Sequence, residues 1–198
     1  MKDAHPHSLG PILRWLATLA CLCFGMTATA SNLLVLQQNQ GKYLPGSYVE
    51  FFVDQNKNHD IQTIIEQQSQ IRWQKSSENF PNFGFGDFAV WAHLQIQSQL
   101  DHTGVWYLVN RYPLLDKMET YVFANGQLLD HMTVGDAQPF KERKVLHPEL
   151  IFPVELEPNV RYDIFLRIES TGTLQFILEL TEPKFYWQHD HSSAALMG

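Results

Sequence analysis

The stretch "VRYDIFLRIES" (160–170) constrains the chain more than any other. Tyr162, Ile164, Leu166 and Ile168 alternate with Arg161, Asp163, Phe165 and Arg167. A period of two puts one set on each face of a strand and cannot build the apolar stripe of a helix. The same alternation runs through "FAVWAHLQIQ" (88–97), where Val90, Ala92, Leu94 and Ile96 oppose Trp91, His93 and Gln95. Further strands are expected at 48–54, 105–110, 118–125, 126–134, 149–156 and 173–180, with a short last one at 184–187. "ANGQ" (124–127) is a hairpin turn, because Asn-Gly accepts the positive φ angles of a two-residue loop. Pro153 places its strand at an edge or a bulge, since proline has no N–H for a central ladder. Short strands at close spacing predict an all-β fold, an antiparallel sandwich. One short helix is expected near 60–68, with Asp60 as N-cap. Residues 76–87, "SSENFPNFGFGD", read as a long loop carrying exposed aromatics.

The fold need not use the whole chain. Lys2 and Arg14 flank a weakly charged lead, an apolar run "WLATLACLCFGM" follows, and Ala28, Thr29 and Ala30 supply small residues for cleavage. Residues 1–30 therefore read as a signal peptide, too short in its apolar part to span a bilayer comfortably. Residues 31–39 are expected to be a flexible lead, 40–187 the folded domain and 188–198 a disordered tail. Both cysteines, Cys21 and Cys23, lie in the signal, so the remainder has no disulfide and relies on its core. A domain of this size buries roughly 70% of its unfolded surface, which is enough. Losing Lys2, Arg14 and Asp3 takes the net charge from −7 to −8. That acidity argues against nucleic acid and anionic lipid as partners. No run after residue 30 is long and apolar enough to cross a membrane.

The chemistry the residues permit is limited. Asp54, Asn56, Asn58 and Asp60 alternate as in the opening of a calcium loop, but His59 stands where such a loop needs glycine and Ile65 where it needs glutamate. A polar turn capped by Asp60 explains the pattern more simply. His189 and His191 lack further zinc ligands nearby. Neither G-x-S-x-G nor H-E-x-x-H occurs, and nothing in the sequence orders acids such as Glu169 and Glu179 across a cleft. The chain is expected not to be an enzyme and to need no cofactor or metal. Binding of a carbohydrate or small molecule remains: Trp91, Trp106, Tyr107, Tyr112, Tyr121, Phe165 and Trp187 supply stacking surfaces, and Arg111, Arg143 and Arg167 supply forked donors. Aromatics on strands are also what a core uses. Arg167 beside Glu169 on one strand face fits an exposed surface.

Four ordered stretches carry a family resemblance: "WYLVNRYPLLDKMETYVFANG" (106–126), "VGDAQPF" (134–140), "ERKVLHPELIFPVELEPN" (142–159) and "YDIFLRIESTGTLQFILEL" (162–180). With Trp91 and the turn from Asp54 to Ile61, they resemble the extracellular domain, second type, of bacterial 7TM-DISM receptors, over about residues 40–186. The resemblance implies a jelly-roll β-sandwich akin to carbohydrate-binding modules, outside the inner membrane, ahead of seven membrane helices and a signalling output. It implies ligand sensing, with carbohydrate the usual suggestion. By position, the family-like residues are Trp91, Pro113, Asp116, Tyr121, Gly135, Asp136, Arg143 and Arg167. His93 departs from the pattern, standing where arginine is common. The chain also stops at Gly198, about where a first membrane helix is expected, which reads as a receptor fragment or a soluble binder.

The resulting expectation is a periplasmic ligand-binding sensor domain, membrane-associated if part of a longer receptor. Its site would draw on Trp91, His93, Tyr112, Asp116, Asp136, Arg143, Arg167 and Glu169. A protein-interaction or homodimerisation module, or a calcium-responsive domain, is the alternative. The corner "NRYPLLDK" (110–117) is expected to bend at Pro113, with Tyr112 exposed and Asp116 and Tyr121 holding the crossing.

Overall fold

The computed structural model describes residues 32–76 and 78–188. The signal peptide expected at 1–30 and the histidines at 189 and 191 lie outside the described residues. Among the described residues thirteen strands run in chain order: β1 Leu33–Gln37, β2 Lys42–Tyr43, β3 Val49–Asp54, β4 Gln74–Lys75, β5 Asn82–Gly84, β6 Ala89–Gln99 and β7 Gly104–Asn110. They continue with β8 Lys117–Ala124, β9 Gln127–Val134, β10 Leu150–Leu156, β11 Arg161–Glu169, β12 Leu174–Gln175 and β13 Leu178–Thr181. A short helix, α1, spans Ile61–Glu66.

The larger sheet has the order β4-β3-β6-β11-β8-β9, with β1 also on β6; the smaller has the order β10-β7-β13-β2. A third ribbon pairs β12 with β5. The chain crosses between the two main sheets after β1, β2, β6, β7, β9 and β10, and again from β11 through β12 to β13, the alternation a jelly roll requires. The fold is the expected all-β sandwich. Its pairings are antiparallel except that of β1, which runs parallel to β6.

The alternation in "VRYDIFLRIES" explains where the main core sits. Tyr162, Ile164, Leu166 and Ile168 turn inward beside Val90, Ala92, Leu94 and Ile96, and meet Leu108, Phe152, Val154 and Leu180 of the smaller sheet. Full burial of each such aliphatic side chain is worth about 1.5–3 kcal/mol. The opposite parity is also largely buried. Ile64, Trp91, Tyr121 and Phe165 form a second cluster on the outer face of the larger sheet. Val109, Ile151 and Tyr186 form a third on the smaller one.

Local chemistry behaves as predicted at several points. Asn125 and Gly126 take φ of 52° and 75°, and β8 turns directly into β9. Pro153 sits on β10, an end strand of its sheet. The Asp60 carboxylate accepts the Thr63 N–H at 2.8 Å and caps α1.

Four expectations need correction. Residues 33–37, assigned to a flexible lead, form β1, because Leu34 and Leu36 are buried in the main core. Residues 173–180 are two strands, not one: the Phe176 N–H bonds the Pro81 carbonyl and the Ile177 N–H bonds the Asn110 side chain, handing the chain from the ribbon to the smaller sheet. Residues 183–188 are helical rather than a strand, starting at Pro183, where a proline ring fits the first helical turn. The 76–87 loop contains β5 and packs Phe83 against the core, although Phe80 and Phe85 are exposed.

The corner between β7 and β8 is held by three backbone bonds, from two other parts of the chain. The Arg111 N–H donates to Ile177, the Asp136 N–H to Leu115, and the Ala137 N–H to Asp116. The Asp116 carboxylate accepts the Thr171 N–H at 2.5 Å. Gly135 passes so close to Asp116 that a Cβ there would lie 2.2 Å from its carbonyl oxygen, and its φ of 147° suits glycine.

Candidate functional site

The outer face of the larger sheet carries the aromatics expected to stack on a ligand, but they are covered. On β6 and β11, His93 lies flat on Phe165, with centroids 4.3 Å apart and planes 2° from parallel. Trp91 stacks on Tyr121 at 6.2 Å, and Tyr121 on His131 at 4.4 Å. The segment through α1 to Trp73 lies over them, with Ile64 fully buried against the cluster and Trp73 within 5.5 Å of His93. Trp91 is 0% exposed and cannot reach a ligand with the segment in place. His93 bonds the Asp163 carboxylate at 2.9 Å, and Gln95 bonds it at 2.8 Å. Burial works to raise the Asp163 pKa, but these two bonds hold it below the usual carboxylate value. Burial beside Glu119 pushes the Tyr121 hydroxyl up to about 12.

One end of this face opens into polar ground. Arg167 pairs with Glu169 and, at 3.1 Å, with Glu119. Burial pulls its guanidinium pKa down, but the two carboxylates outweigh this and raise it. Lys57 lies 3.2 Å from Glu169 and also pairs with Asp87. Lys57 has a φ of 55°, the left-handed conformation that the turn after β3 requires. Beyond this chain of charges lies a cleft of about 440 Å³, lined by Lys57, Asp87, Asp116, Lys117, Glu169 and Thr171 among others. Its size falls in the range of small-molecule sites. Phe85, next in the chain to the cleft residue Gly86, is 77% exposed.

The eight expected site residues are therefore scattered. Asp116 and Glu169 line the cleft, with Arg167 bonded behind Glu169. Trp91 and His93 are sealed on the same sheet face. Tyr112 is not the exposed residue of the corner: it packs against the main core, and Leu114 is exposed instead. Arg143 is structural, donating to the carbonyl oxygens of His147 at 2.7 Å, Pro148 at 3.1 Å and Gly135 at 3.4 Å. Asp136 is exposed on the loop that docks on the corner and does not line the cleft. Tyr121 belongs to the outer face rather than to the crossing. Lys57, Asp87, Lys117 and Thr171 were not anticipated. The turn "DQNKN" and the glycine-spaced "GFGD" were the available signals, since both force a backbone that projects polar side chains.

The alternating oxygen residues of 54–60 do not form a cage. Asp54 accepts the N–H groups of Asn58 at 3.3 Å and His59 at 2.9 Å, and Asp60 is committed to its helix. Among the described residues no group of three or more His, Cys, Asp or Glu is placed to hold a metal.

Arg111, at the corner, points to the other side of the sandwich. Its guanidinium bonds Glu179 twice at 3.0 Å and Glu149 at 3.0 Å, and lies 5.3 Å above the Tyr186 ring. The Tyr186 hydroxyl donates to Glu149 at 2.7 Å, and Lys42 lies 2.9 Å from Glu179. These bonds fasten the 183–188 helix onto the smaller sheet. Arg111 and Tyr112 thus do not share a face with Trp91, and the corner is an architectural joint whose last residues, Asp116 and Lys117, reach the cleft.

Residues 46–182 match the family model described as 7TMR-DISM extracellular 2. No curated protein matches the chain. Among the described residues no helix is long and apolar enough to cross a membrane.

Proposed function

From the premise that the chain belongs to the 7TMR-DISM extracellular 2 family, we propose that it is a periplasmic sensor domain that binds a carbohydrate in the cleft beside Asp116 and Glu169, and that it acts by binding rather than by catalysis. The observation that carries this reading is the cleft itself. It is open, has the volume of a small-molecule site and gathers carboxylates and ammonium groups from four separate parts of the chain. Such groups accept and donate the hydrogen bonds that ring hydroxyls offer. Phe85, the most exposed large apolar side chain among the described residues, supplies a flat ring beside Gly86 at its margin. Bound ligand would bridge the 84–88 loop and the corner, so a state that brings them together would gain population.

Isothermal titration against a panel of neutral, amino and acidic oligosaccharides tests the reading. Binding should be saturable and should weaken about tenfold or more in Glu169→Gln and in Phe85→Ala, the loss of one hydrogen bond to a charged group or of one stacking contact. A folded protein that binds none of the panel overturns the carbohydrate assignment. Binding that both variants leave unchanged overturns the location.

A further inference from the structure

The charges of the cleft do not cancel. Lys57, Lys117 and Arg167 lie in it or directly behind it, against the carboxylates of Asp87, Asp116, Glu119 and Glu169. Each cation is already matched inside the protein. Lys57 sits between Asp87 and Glu169, Lys117 lies 3.0 Å from Glu119, and Arg167 pairs with Glu119 and Glu169. Asp116 is the carboxylate left over. One of its oxygens accepts the Thr171 N–H, and among the described residues the other has no partner and no cation pairs with it. Asp87 likewise uses one oxygen on Lys57, and its side chain is 96% exposed. The open valences of the cleft are therefore acceptors, while its charged donors are neutralised.

We infer that the cleft takes an amino sugar whose free ammonium group is received by Asp116, an inference that rests on the carbohydrate reading of the same cleft. A sugar acid would meet no unmatched cation and would face Asp116 directly. A neutral sugar would cover Asp116 and leave its charge uncompensated. An ammonium carries three donors and no acceptor, and its hydrogen bond to a carboxylate is charge-assisted. A bare metal ion fits less well, since among the described residues no group of three or more His, Cys, Asp or Glu is placed to hold one. The corner holds Asp116 ready: its carbonyl accepts the Ala137 N–H, and Gly135 is pressed against it. The exposed Phe85 ring offers its face to the same cation or to the apolar face of the sugar ring. The net charge of −7 draws cationic ligands toward the molecule.

Two tetramers with identical rings test the inference by isothermal titration: β-1,4-linked glucosamine and its fully N-acetylated, uncharged form. At about pH 6, where the amines are charged, the glucosamine tetramer should bind about tenfold or more tighter. Raising the salt from about 0.05 to 0.5 M should remove most of that advantage and leave the acetylated form unaffected. Asp116→Asn keeps an oxygen for the Thr171 N–H and should abolish the preference with circular dichroism unchanged. Asp87→Asn, at a side chain too exposed to matter for folding, should reduce it by a smaller factor. Asp130→Asn on β9, outside the cleft, should leave it intact. Equal affinity for the two tetramers overturns the inference and leaves the carbohydrate reading standing. A preference that survives both Asp116→Asn and Asp87→Asn overturns it too, because the cation is then held elsewhere. A folded protein that binds no oligosaccharide overturns the carbohydrate reading and this inference with it.

Discussion

The two outer faces of the sandwich solve one problem with different chemistry. Each sheet buries the face that simple alternation assigns to solvent, and each does so under a short helical segment. On the larger sheet the seal is aromatic: Ile64 closes over Trp91, Tyr121 and Phe165. The indole N–H groups of Trp91 and Trp73 have no hydrogen-bond partner there, a cost of about 1–3 kcal/mol each that ring packing must offset. On the smaller sheet the seal is ionic. Arg111 ties Glu149 and Glu179 together beneath Tyr186, and Glu179 is 3% exposed. The difference teaches that neither face is a ligand platform in this state. It leaves the rim, where the charges from the larger sheet spill into the cleft, as the accessible chemistry.

Breaking the aromatic seal should have the largest effect. Trp91→Ala removes a fully buried indole and is expected to cost about 4 kcal/mol in urea unfolding, with loss of near-ultraviolet circular dichroism. Breaking the ionic seal should cost slightly less. Arg111→Ala leaves the buried Glu179 carboxylate with Lys42 as its remaining ionic partner and is expected to lower stability by about 3 kcal/mol. The conservative variant Glu179→Gln should cost less than that, since it leaves no unpaired charge behind.

Acid separates the two seals further. Burial acts to raise the Glu179 pKa, but its bonds to Arg111 and Lys42 hold it below the usual value. A depressed carboxylate contributes its stability above the unfolded value of about 4.5 and loses it as pH falls through the folded value. The melting temperature should thus fall from about pH 4.5 downward, and Glu179→Gln should flatten that fall. Asp163 of the aromatic seal, also lowered, should leave a residual acid sensitivity in the variant. The smallest effect is expected at the edge of the aromatic seal. Asp60→Ala removes the α1 cap and should cost about 1 kcal/mol, read as faster amide exchange in 61–67 with the sheet unchanged.

The alternation in 160–170 made β11 legible, and with it the sandwich, since one face had to be core. The hairpin at Asn125–Gly126 and the cap at Asp60 were equally legible, because each depends on local chemistry alone. β1 was not. A short aliphatic run close to an apolar leader carries no period, and its pairing with β6 spans some sixty residues. The 183–188 helix was obscured because Phe185, Tyr186 and Trp187 have strand propensity, while the opposing signal, Pro183 at the helix start, is a single residue. The site suffered from the same limit. Trp91 and His93 have the right residue types, but whether a strand face is covered depends on a segment twenty residues away in sequence. Asp116 and Glu169 were found because a corner and a strand end necessarily lie at the rim. Lys57 and Asp87 reach the same rim from loops, which period cannot place.

Gly135 gives the corner an unexpected genetic property. Every single-base missense change of a glycine codon introduces a side chain, and here any side chain meets the Asp116 backbone. The turn between β7 and β8 is thus vulnerable at a position nearly twenty residues downstream of it, while neighbours such as Leu114, which is exposed, are free to drift. A saturation screen for surface display should therefore find its sharpest depletion outside "NRYPLLDK", at the residue against which that stretch is pressed.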